Sequence, residues 1–152
     1  MPQRFYEDFH IGDTVETPAH TVTEAEILDF GRQFDPQPFH TDPEASRHGF
    51  FGRLIASGWH TAAVTMRLLV ESDLMPAGGL IGREVRSLEW PRPVMPGDTL
   101  TAVAEVIEMF ESRSKPDIGL IRVRVETRNQ NGEPVQIMKP LLVVPRQTST
   151  RA

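Results

Sequence analysis

Apolar residues recur at helical spacing through the first half of the chain and at every second position through the second half. Residues 21–34, TVTEAEILDFGRQF, place Ile27, Phe30, Gly31 and Phe34 at i, i+3, i+4 and i+7, one buried helical face. Thr23 can accept from the backbone at Glu26 while Glu26 reaches back, a capping box, and Pro36 ends the run. In TDPEASRHG, Asp42 suits an N-cap, Pro43 a first turn and Gly49 an exit, which predicts a short second helix. Residues 57–71, SGWHTAAVTMRLLVE, predict the longest helix. Trp59, Ala62, Ala63, Met66, Leu69 and Val70 form its apolar stripe, and the small alanines imply close packing around it. Such a helix would span about 22 Å, enough to cross a sheet.

After PAGG the period becomes two. REVRSLEW is a strand candidate limited by Pro91, Pro93 and Pro96, and MPGD is a turn. TLTAVAEVIEMF sets Leu100, Ala102, Ala104 and Val106 on one face. GLIRVRVETRN opposes Ile121, Val123 and Val125 to Arg122, Arg124 and Glu126. NQNGE turns the chain into PVQIMKPLLVV, and the opening QRFYEDF is expected to add a strand. Long consecutive strands joined by turns imply an antiparallel sheet, so the pattern predicts an α+β fold with a sheet wrapped on one long helix.

Composition narrows the function classes. The 152 residues favour one domain, expected over 1–146 with a flexible tail at 147–152. There is no cysteine, which excludes disulfides, thiolate metal sites and cysteine nucleophiles and is compatible with a reducing cytoplasm. The formal charge of −5 argues against a nucleic-acid partner. MPQRFYEDFHIGD does not read as a signal peptide, and no apolar run reaches the ~18 residues of a membrane span.

The chemistry concentrates in FDPQPFHTD, where Asp35 and His40 are five residues apart with Pro36 and Pro38 between them. Fully extended, the pair would stand roughly 17 Å apart, so it can share a proton or a water only if the segment bends back. The prolines stiffen that segment and would lower the entropy of assembling the pair. Taken alone, the stretch reads first as a helix stop with a surface hydrogen bond. The spacing of Asp35, His40, Asp42 and His48 fits no metal pattern, so no metal is expected. Downstream, Ser57 and Gly58 open the long helix, where unpaired N–H groups and a positive dipole end suit an oxyanion; Ser57 alone reads as a cap.

The run from FDPQPFHTD through FGRLIASGWHTAAVTMRLLV to RPVMPGDTL resembles the MaoC-like dehydratases, or (R)-specific enoyl-CoA hydratases, over nearly the whole chain. Asp35, His40, Asp42 and Gly58 match the family motif in identity and order. The resemblance implies a hotdog fold, a curled antiparallel sheet around a central helix, paired as a homodimer or a higher assembly of dimers. It implies a cytoplasmic hydro-lyase that adds water to a trans-2-enoyl-CoA, in fatty acid metabolism or equally in polyhydroxyalkanoate or branched dicarboxylic acid metabolism. Asp35, His40 and Gly58 would be catalytic, the first two holding one water and the Gly58 N–H binding the thioester oxygen. Ser57, Trp59, Arg53 and Met66 would meet the substrate, Arg53 being favoured over Arg86, Arg113 and Lys115 for the CoA phosphates. No cofactor is expected, CoA being part of the substrate. Departures fall at Gln37, near the family's usual asparagine, at Ser57 and Trp59 around the glycine, and at Met66, where some members carry serine. A hotdog acyl-CoA thioesterase and a non-catalytic acyl-CoA-binding protein are the alternatives; the acid–imidazole pair counts against both.

Overall fold

The computed structural model describes residues 3–147. After a 3-10 turn at Tyr6–Asp8, the chain forms β1 (Thr14–Glu16), β2 (His20–Thr21), α1 (Glu24–Phe34), α2 (Pro38–Thr41), α3 (Pro43–Ser46) and α4 (Gly58–Val70). Then follow β3 (Ile81–Glu89), β4 (Thr99–Glu111), β5 (Ile118–Arg128) and β6 (Pro134–Pro145). The strands make one six-stranded sheet in the order β1-β4-β5-β6-β3, with β2 also pairing β4 and all named pairings antiparallel. The sheet does not close, and β3 forms an edge. This is the expected α+β arrangement of an antiparallel sheet and one long helix.

Alternation in β4 and β5 buries the predicted faces. Ala102, Ala104, Val106, Ile121, Val123 and Val125 join Leu69 of α4 in one core cluster. Leu68 of α4 joins a second cluster with Ile27 of α1, Leu54, Val94, Leu100 and Val135. Consecutive leucines of α4 therefore tie the sheet to the helical layer that carries the bend at residues 35–40. Between them the hydroxyls of Thr65 and Thr127 meet at 2.7 Å, so both polar groups are satisfied inside the core.

Several expectations change in physically interpretable ways. The opening segment is a 3-10 turn with one isolated bridge, Arg4 to Pro76, rather than a strand. Thr23 does cap α1, accepting from Glu26 N at 3.2 Å, but the Glu26 carboxylate turns to His20 Nε2 at 2.8 Å, so the capping box is not formed. Phe34, expected on the buried face of α1, is exposed. The face of α4 is rotated from the predicted stripe: His60, Thr61, Thr65, Leu68 and Leu69 are buried. Trp59, Ala63, Met66 and Val70 line the outer side instead, at a spacing that forms one continuous ridge. Arg122, expected among exposed charges, is 3% exposed, with Glu84 at 2.7 Å and Glu108 at 3.6 Å. The tail expected from residue 147 lies outside the described residues except Gln147, whose backbone N–H donates to Glu7 at 2.8 Å.

Glycine at position 31 lets α1 and α2 touch. A Cβ there would stand 2.7 Å from the His40 carbonyl oxygen, a backbone atom that cannot yield without moving the bend. Gly31→Ala is therefore expected to destabilise the fold by about 1–3 kcal/mol, as overpacking does. Urea unfolding of the variant checks this, and an unchanged midpoint would contradict it.

Candidate active site

The bend between α1 and α2 is built by the backbone. Asp35 N–H donates to Gly31 O at 2.9 Å and ends α1. Across Pro36, Gln37 N–H returns to Asp35 O at 2.8 Å, a three-residue turn. Pro38 then starts α2 at a first-turn position that needs no N–H, a short helix the sequence pattern did not predict. Asp42 closes the segment by capping α3, accepting from the N–H groups of Glu44 and Ala45 at 3.1 Å. The chain thereby reverses, and the His40 imidazole comes back onto the Asp35 carboxylate.

Asp35 Oδ2 lies 3.2 Å from His40 Nε2. His40 is 4% exposed, and its Nδ1 lies 2.7 Å from Ile55 O. A carbonyl only accepts, so Nδ1 carries the hydrogen, and Nε2 is the ring nitrogen that faces the carboxylate. Ile55 grips the segment twice, because its own N–H donates to Phe39 O at 2.9 Å. Asp35 is engaged on both oxygens. Ser57 Oγ donates to Oδ2 at 2.7 Å and Gln37 Nε2 donates to Oδ1 at 2.5 Å. Burial pushes the Asp35 carboxyl up, but the hydrogen bonds from Gln37 and Ser57 and the charge of His40 outweigh it. The net position is below the usual aspartate range.

Ser57 also caps α4, accepting from Trp59 N at 3.2 Å, so one hydroxyl links the carboxylate to the helix N-terminus. Among the described residues the Gly58 N–H meets no protein acceptor. Glycine is required here by an indole: a Cβ at Gly58 would fall 2.5 Å from Cε2 of Trp90. Trp90 Nε1 donates to the buried Gln136 Oε1 at 2.9 Å, and Trp59 meets its ring edge-on at 5.2 Å.

A cleft of about 340 Å³ opens at His40 and Gly58, lined also by Thr61, Phe39, Phe51, Ile55, Ala56 and the 90–94 segment. Asp35 and Ser57 stand behind this lining, reached through His40 and Gly58. Phe39 meets the His40 ring edge-on at 4.5 Å and Phe51 at 5.4 Å, so an aromatic wall leads from the imidazole outward. Of the residues picked out from sequence, Asp35, His40, Ser57 and Gly58 come together. Trp59 reaches the site through Trp90. Arg53 lies instead in a neighbouring cleft with Arg47, Glu24 and Met95, and Met66 lies on the outer ridge of α4. Gln37, Phe39, Phe51 and the Ile55 carbonyl were not predicted as site groups. Gln37 and Phe39 were within reach of inference, lying between the acid and the imidazole. A backbone carbonyl leaves no mark in the residue pattern.

A family profile described as "MaoC like domain" matches residues 8–129. The chain belongs to this MaoC-like family. A crystal structure of a MaoC-like dehydratase from Rhodospirillum rubrum superimposes with a TM-score of 0.91 at 47% identity, covering 95% of this chain and 98% of that one. The (R)-hydratase from A. caviae involved in PHA biosynthesis matches at 25% identity and TM-score 0.70, covering 92% of this chain and 98% of that one. The YdeM protein of Bacillus subtilis (strain 168) is 32% identical over 124 residues, 82% of this chain and 86% of its own length. These likenesses identify the sheet and helix as a hotdog fold.

Because Asp35 is held below its unfolded value, the unfolded chain binds more protons across the window between the two pKa values. The Asp35 contribution is then present above the unfolded value of about 3.9 and is lost as pH falls through the folded one. Ser57→Ala is expected to move the Asp35 titration upward and to cost about 0.5–2 kcal/mol through the lost cap. Carboxyl carbon NMR titration of Asp35 in both proteins checks the direction; an unmoved or lowered titration in the variant would contradict it.

Proposed function

We propose that this MaoC-like chain is an (R)-specific hydratase that adds water to a trans-2-enoyl-CoA thioester, or removes it in reverse. The observation that carries the reading is the 3.2 Å approach of Asp35 Oδ2 to His40 Nε2, with Nδ1 tied to Ile55 O. A water resting on both groups would face the cleft. Its oxygen bonds to Cβ as one O–H breaks, the π electrons move toward the thioester oxygen, and the pair takes up one proton. The pair then returns one proton to Cα on the same face, and charge and atoms balance. The unpaired Gly58 N–H at the start of α4 is the donor for the thioester oxygen as enolate character builds. The reaction needs no further cofactor, since CoA is part of the substrate. The similarity to an (R)-hydratase and to a MaoC-like dehydratase supports the same chemistry.

A homodimer is part of the proposal. The outer ridge of α4 exposes Trp59, Met66 and Val70, and the edge strand β3 exposes Ile81 and Val85. Among the described residues nothing pairs with the outer side of β3. A second copy adding its own β3 would continue the sheet and cover both surfaces in one two-fold interface. A cysteine-free chain suits the reducing cytoplasm in which acyl-CoA thioesters are handled. No helix among the described residues is long and apolar enough to cross a membrane.

Loss of enoyl absorbance with a short 2-enoyl-CoA tests the reaction, and free thiol release from the same thioester tests hydrolysis. Hydration without thiol release is expected. Asp35→Asn and His40→Ala should each lower kcat by about 10²–10⁴-fold with the fold intact. Thiol release by the wild type, or a near-normal kcat in either variant, would contradict the assignment. Val85→Lys should shift sedimentation from dimer toward monomer; an unchanged wild-type-like dimer would place the interface elsewhere.

A further inference from the structure

Among the residues lining the His40 cleft, Arg92 alone carries a permanent charge, and no carboxylate lines the cleft with it. Its position is held from both sides. Pro91 and Pro93 fix the backbone next to it. Two residues before it, Trp90 is packed on Gly58 and bonded to Gln136. Two residues after it, Val94 O accepts Ala56 N–H at 2.8 Å. The guanidinium is about half exposed and stands 3.2 Å from Glu133 Oε2. That contact is an ion pair between accessible groups, the kind that contributes little. None of the Arg92 N–H groups makes a directed hydrogen bond to another described residue. Glu133 itself does not line the cleft, and its other oxygen accepts from Asn129 Nδ2 at 3.0 Å.

A short neutral enoyl group gains nothing from a guanidinium on an apolar wall. A planar fork of unspent donors matches an anionic oxygen pair. Building on the hydratase reading, we propose that Arg92 is a specificity-determining residue that anchors an anionic oxygen group of the thioester substrate in the His40 cleft. Two parts of such a substrate carry that chemistry: a phosphate of the CoA arm, or a carboxylate at the far end of the acyl group. The sources separate by experiment because pantetheine thioesters lack the phosphates.

Steady-state hydration is measured with crotonyl-CoA, crotonyl-pantetheine and glutaconyl-pantetheine, on the wild type, Arg92→Gln, Arg92→Lys and Glu133→Gln. Arg92→Gln is expected to raise KM for an anionic thioester about ten- to a hundredfold, the value of one charge-assisted contact, with kcat within about threefold. A loss on crotonyl-CoA assigns the anion to phosphate, and a loss on glutaconyl-pantetheine assigns it to the acyl carboxylate. Crotonyl-pantetheine should be unaffected, Arg92→Lys should recover part of the loss, and Glu133→Gln should not raise KM. An unchanged KM for both anionic thioesters, an equal loss on the neutral one, or the same loss in Glu133→Gln would overturn the proposal. If the wild type hydrates none of the three, the hydratase reading falls, and Arg92 is judged by calorimetric titration of CoA and of glutaconyl-pantetheine. Weaker binding by Arg92→Gln then supports the anchor; equal binding, or none by the wild type, overturns it.

Discussion

Four consecutive residues, Ile55 to Gly58, hold Asp35 and His40 in register with the start of α4. The Ile55 carbonyl takes the His40 Nδ1 hydrogen and its N–H takes the Phe39 carbonyl. The Ala56 N–H ties the stretch to Val94. The Ser57 hydroxyl donates to Asp35, and Gly58 contributes an N–H at the start of α4. Because the acceptor for His40 is a main-chain carbonyl, it cannot titrate away, and the hydrogen stays on Nδ1. The proline-braced bend brings the acid and the ring near each other; the 55–58 stretch decides which atoms meet.

The same geometry explains how a mostly buried carboxylate and imidazole are tolerated. Removing a carboxylate from water is costly unless its lone pairs find donors. Gln37 and Ser57 supply one to each oxygen. His40 is likewise bonded at one nitrogen and paired at the other. His60 is a contrast: it is stacked on Phe30 at 4.8 Å, its Nδ1 has no partner among the described residues, and burial lowers its pKa. It packs α1 against α4 as an aromatic ring does.

Much of this was legible because period and punctuation are local. The switch from helical to alternating spacing located α4 and β3 to β6, and the Thr23, Asp42 and Ser57 caps fell where their side chains allow. Where inference failed, tertiary contacts outweighed pattern. Thr65 faces inward because the sheet offers it a hydroxyl partner, Thr61 is buried with it, and Trp59, Met66 and Val70 are left outward. Gly58 looked like an opening for ligand, yet the atom lying closest to its missing side chain belongs to Trp90, thirty-two positions away in sequence. Arg53 was favoured by its place between motif and helix, but the chain turns it into another cleft, and Arg92 lines the cleft of His40.

The account rests on Asp35 and His40 acting together on one water from one side of the substrate. Hydration of crotonyl-CoA in deuterium oxide reads this directly through the configuration of the product. One deuterium at Cα, delivered to the same face as the hydroxyl, is the result the geometry predicts, and the proposed (R)-hydratase reading adds an R-configured Cβ. Anti addition would mean that proton and hydroxyl come from groups on opposite faces, and the paired site would not be the one that acts; an S-configured product would contradict the (R)-specific assignment.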